Sequence, residues 1–85
     1  MATEAKRWSE RLGVGIIAAR KLIALSDIAA TAQTNWHNGD ATAEAADKAV
    51  KRVEDEAKEY GFSVIWPGLY PVFVAKDGQQ FTLPG

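Results

Sequence analysis

Residues 61–85, GFSVIWPGLYPVFVAKDGQQFTLPG, set short apolar runs between two turn signals, a pattern that specifies antiparallel sheet. Phe62, Val64 and Trp66 alternate with Ser63 and Ile65, the period-2 signature of a half-buried strand. The later run, Val72 to Lys76, meets Asp77-Gly78, the dipeptide of tight hairpins. A two-residue type I′ turn there needs positive φ at both positions and pairs Lys76 with Gln79, Val74 with Phe81 and Val72 with Leu83. That register places Val72, Val74, Phe81 and Leu83 on one face, and Phe73, Ala75, Gln80 and Thr82 on the other.

Pro67-Gly68 marks the earlier reversal, with proline presetting φ and glycine accepting a positive one. Loop parity then decides which faces coincide, because a one-residue slip flips every side chain. A two-residue loop would join Phe62, Val64 and Trp66 to the face of Phe73. An odd loop, Pro67-Gly68-Leu69, joins them to Tyr70, Val72, Val74, Phe81 and Leu83. The odd loop collects one continuous apolar face and is the expected arrangement. It leaves Ile65 and Phe73 on the outer face and Leu69 at the loop tip. Pro71 has no amide donor, so its N–H position should face no paired strand.

The first sixty residues read as helix. Thr3 is a candidate cap for a first helix with Trp8 and Leu12 on one face at i, i+4. Gly13-Val14-Gly15 breaks it, since two glycines cost about 1 kcal/mol each inside a helix. The central helix, from about Ile16 to Asn35, is apolar on two sides. One stripe is Ile17, Leu22, Leu25, Ile28, Ala32 and Trp36; the other is Ile16, Ala19, Ile23 and Ala30. Such a helix is sandwiched, here between the sheet and another helix. Trp36-His37-Asn38-Gly39-Asp40 reads as the connecting loop, with Asp40 as the next N-cap. The third helix, about Thr42 to Tyr60, carries the stripe Ala46, Ala49, Val50, Val53, Ala57 and Tyr60, and Gly61 ends it. The whole is an α+β domain spanning 1–85: three helices packed on a three-stranded antiparallel meander at about 62–83. Leu25→Ala or Val53→Ala should each cost about 2–4 kcal/mol as core truncations.

Composition narrows the chemistry. With 85 residues and no cysteine there is room for one small core, no disulfide framework and no thiolate nucleophile. Residues 1–21 carry five bases against two acids, and residues 22–61 eight acids against four bases. No uncharged apolar stretch is long enough for a membrane helix, and Glu4, Glu10 and Arg20-Lys21 do not suit a signal peptide. The expectation is a cytoplasmic protein with no membrane contact.

No motif supports catalysis. His37 is the single histidine, and pairing it with Asp40 falls short of a metal set. None of Ser9, Ser26 and Ser63 sits in a Gly-x-Ser-x-Gly elbow, and Gly13-Val14-Gly15 lacks the third glycine and the preceding strand of a dinucleotide site. The third helix mixes six acids with four bases in i, i+4 pairs, Glu44–Lys48, Asp47–Lys51 and Glu54–Lys58, an ordinary solvated face. No catalytic residue, cofactor or metal is therefore assigned. The expected function is a non-enzymatic protein-binding module, in size class like the accessory and inhibitor proteins of phages and mobile elements. Its partner is another protein or a second copy of itself, and its surface an exposed apolar patch of Ile65, Leu69 and Phe73 extended by Trp36. The alternative is a winged-helix-like nucleic-acid binder with the Asp77-Gly78 hairpin as wing. The acids of the third helix oppose it, and tight duplex binding at physiological salt is not expected.

Overall fold

The structure is a computed structural model that describes residues 4–82. Thr3 and Leu83, named above as a cap and a core residue, lie outside the described residues. Three helices, α1 (Glu4–Leu12), α2 (Ile16–His37) and α3 (Ala43–Glu59), precede three strands, β1 (Ser63–Ile65), β2 (Val72–Val74) and β3 (Gln80–Thr82). The strands form one antiparallel sheet in the order β1-β2-β3. The architecture is α+β with a C-terminal meander, as the alternation and turn signals imply.

Local chemistry explains most boundaries. α1 buries Trp8 and Leu12 together with Ala5, and the chain turns at Gly13. α3 is capped by Thr42, whose hydroxyl accepts from the Ala45 amide at 3.1 Å, and not by Asp40. Thr42 sits three residues before that amide, the spacing a side-chain cap needs. α3 ends at Gly61, where a φ of 84° lets the Gly61 amide reach the Lys58 carbonyl and the Phe62 amide the Ala57 carbonyl. α2 runs two residues further than its sequence pattern indicates. Trp36 and His37 belong to its last turn, and Asn38-Gly39 makes the exit.

α2 is the central element, but its two neighbours are α1 and α3. The sheet docks through β1 on α3, so the expected sandwich of α2 between sheet and helix is corrected. Alanines make up much of the buried surface of these helices: Ala19, Ala29 and Ala30 of α2 and Ala46, Ala49 and Ala57 of α3 are all buried. Small side chains let helices approach closely, so little space remains for larger apolar groups. Leu22, Leu25 and Val53 fill the remainder, with Trp8, Leu12 and Phe73. Ile17 and Ile28 of the expected core stripe face solvent instead.

The sheet register also differs from expectation, and the turn is the reason. Asp77 has no positive φ, which a type I′ turn would require. The Gly78 amide donates to the Ala75 carbonyl and the Ala75 amide to the Gln79 carbonyl, each at 2.9 Å, while Gly78 alone takes a φ of 89°. This is a three-residue loop ending in a left-handed glycine bulge. The Asp77 carboxylate accepts the Gln79 amide at 3.0 Å and holds the bulge. One extra loop residue slips the pairing by one: Val72 meets Thr82, Phe73 meets Phe81 and Val74 meets Gln80. The first hairpin has an even loop, since Ile65 pairs with Val72 and residues 66–71 connect them. Gly68 has no positive φ, so the expected turn with a left-handed glycine does not form, and the chain reverses over residues 66–71. Pro71 is buried just before β2, outside the ladder.

The consequence is an exchange of faces. Val64, Phe73 and Phe81 form one row across the sheet and pack with Phe62 and Trp66 against the helical core. Phe62 meets Phe73 and Phe81 edge-on, with ring centres 6.5 and 6.1 Å apart. Ile65, Val72 and Val74 point the other way, though Val72 is buried there too.

Candidate functional site

The exposed large apolar side chains fall in two places. Trp36, Ile65, Leu69 and Tyr70 cluster by topology around the end of α2 and the β1–β2 loop, and Ile16, Ile17 and Ile28 lie along α2 itself.

The first group holds three of the four residues that the sequence nominates for partner binding. Leu69 and Tyr70 sit in the 66–71 loop, and Ile65 at its base on the outer sheet face. The Gln33 side-chain amide donates to the Leu69 carbonyl at 3.4 Å, which ties the loop to α2. Trp36 follows Gln33 by three residues, so it lies one turn along the same side of α2. His37 stacks on the Trp36 ring at 5.1 Å, with 27° between the planes. The fourth nominee, Phe73, is excluded from any surface: it has 0% exposure and lies in the core. The slipped register turned it inward. Tyr70, which the parity argument placed inside, takes its place outside.

Two shallow grooves border α2. One, of about 360 Å³, is lined by Asp27, Ile28, Thr31, Ala32 and Asn35. The other, of about 240 Å³, lies between α2 and α3 and carries Lys21, Leu25, Arg52, Asp55, Glu56 and Glu59. Across the second, Lys21 pairs with Glu56 at 3.5 Å, and Glu56 also accepts the Tyr60 hydroxyl at 2.9 Å. The bond to Glu56, then burial, then the charges of Glu56 and Glu59 hold the phenol protonated and raise its pKa. Of the three helix pairs expected on α3, Glu44–Lys48 closes to 4.0 Å; Asp47–Lys51 and Glu54–Lys58 form no ion pair among the described residues. Neither groove contains a histidine, and among the described residues no three metal-ligating groups converge. Ser26 is buried but spends its hydroxyl on the Leu22 carbonyl at 2.6 Å. Among the described residues, no helix is long and apolar enough to cross a membrane.

Sequence reasoning missed Tyr70 and the outward Ile17 and Ile28. The two isoleucines could have been found from spacing: Ile17, Ala24 and Ile28 lie on one line, away from Leu22, Leu25 and Ala29. Comparison with known families, with characterised proteins and with solved structures returns no match.

Proposed function

We propose that the chain is a non-enzymatic protein-binding module, using the surface formed by Trp36, Leu69 and Tyr70 with Ile65 at its edge. The observation that carries this reading is the Gln33–Leu69 hydrogen bond, which ties an exposed apolar loop to α2 three residues before the exposed Trp36. Tryptophan and tyrosine supply large contact area at little entropic cost, and interface energy concentrates in such anchors. The partner presents an apolar pocket or ridge of its own. A module of this size in which, among the described residues, no nucleophile lies beside a base acts by occupying that surface, in the manner of an accessory or inhibitor protein. Nucleic acid fits less well, since the exposed side of α3 interleaves Glu44, Asp47, Glu54, Asp55 and Glu59 with its cations.

The test is photo-crosslinking in the source cells from a reactive residue at position 69, with one at position 44 as control. The captured protein is then purified and the complex reconstituted. Trp36→Ser and Leu69→Ser, with folding checked by circular dichroism, should each weaken that complex about tenfold or more. A reconstituted complex that tolerates both substitutions would remove this surface as the site.

A further inference from the structure

Ile17 is 78% exposed and Ile28 is 51% exposed, although both sit on the longest helix of the domain. Successive helical residues step by about 100°, which puts Ile17, Ala24, Ile28, Thr31 and Asn35 in a stripe about 60° wide. With Lys21 between the first two, they recur at the alternating spacings of four and three that make a helix-pairing seam. Lys21 also falls near the seam, but its ammonium is drawn aside to Glu56 on α3, 3.5 Å away. Its methylenes then extend the apolar surface. Ala24, at the middle, leaves room for a close approach.

We infer that this face binds a second copy of the chain, α2 against antiparallel α2, and the charges beside the seam carry the argument. Arg20 and Asp27 lie on the same flank of the stripe, two turns apart. Both are exposed, and neither forms an ion pair among the described residues. In an antiparallel pair related by a two-fold axis, each flank meets the same flank of the other copy. Ile17 of one copy then lies against Ile28 of the other, and Lys21 against Ala24. In that register Arg20 falls opposite Asp27, and the symmetry makes the contact twice. A parallel pair would bring unlike flanks together and leave both charges unmatched. The surface is thus complementary to itself in one direction only. It lies about 100° around α2 from Trp36, so it is separate from the proposed partner site.

The contact spans little more than three helical turns, so the dimer is weak and reversible. Sedimentation equilibrium across the micromolar to millimolar range should show self-association that weakens with added salt. Arg20→Asp and Asp27→Arg, each alone, place like charges opposite one another twice and should each weaken it about tenfold or more. Mixing the two variants restores opposite charges in both contacts, so the mixture should associate at least as well as the parent chain. Ile28→Ser should abolish association while the circular dichroism spectrum of the monomer stays unchanged. A chain that remains monomeric throughout, or a mixture that associates no better than its separate components, would overturn the inference.

Discussion

Phe73 has no exposed surface and meets Phe62 edge-on in the core, so its ring contributes by both burial and packing. Phe73→Ala should cost about 3–5 kcal/mol, the usual loss for a buried aromatic. Ile65→Ala, in the terminal pair of the same ladder and exposed, should cost well under 1 kcal/mol. Urea denaturation of the two variants separates the observed register from its one-residue slip, which would reverse the order. Tyr60 offers a second test. Its hydroxyl donates to Glu56, and its pKa lies above the ordinary phenol value of about 10. A raised folded-state pKa contributes stability that is complete below the unfolded-state value and is lost as pH rises through the folded-state value. Stability should therefore fall more steeply above about pH 10 in the parent chain than in Tyr60→Phe. Denaturant midpoints measured on both across the alkaline range would show it; parallel profiles would mean that the phenol–carboxylate bond contributes nothing.

At the scale of elements, the second hairpin depends on one backbone angle. Gly78 holds a φ of 89°, and a Cβ placed there would meet nothing within 4 Å. Any penalty for Gly78→Ala is therefore conformational, about 1 kcal/mol from forcing an L-residue into the left-handed region. Gly68→Ala, also in open space but without a positive φ, should be neutral or slightly stabilising through the unfolded chain. Thermal melts of the pair separate the glycine whose left-handed conformation the hairpin requires from the one whose conformation any residue can adopt. Loop length, not this angle alone, sets which strand residues face inward, because one residue more or less exchanges the faces.

The molecule measures 37 × 31 × 18 Å, thin enough that each helix keeps a face exposed to solvent. Helices joined through alanines pack closely but bury little per residue. The apolar groups that the core does not take up remain on α2 and at the β1–β2 loop. These leftovers are arranged rather than scattered. One group is gathered by a hydrogen bond from Gln33, and the other is flanked by charges that match only an antiparallel copy. On the reading proposed above, the domain meets a partner through one and itself through the other.

Much of this was determined by sequence alone. Element order, the glycine break after α1, the burial of Trp8 and Leu12, the Ala46–Ala49–Val53–Ala57 stripe and the glycine end of α3 are local consequences of propensity, capping and period. Trp36, Ile65 and Leu69 were likewise legible as exposed apolar groups. Only tertiary structure decided the register and the faces. Asp77-Gly78 supports a two-residue or a three-residue loop, and the choice between them depends on which row of side chains the helices accept. Phe73 therefore went inside and Tyr70 outside. The double apolar stripe of α2 was equally ambiguous. Both sides are apolar in sequence, but α1 and α3 cover only an arc of the helix, and Ile17 and Ile28 lie outside it. Periodicity records which residues share a face; which face finds a neighbour is settled by packing among elements distant in the chain.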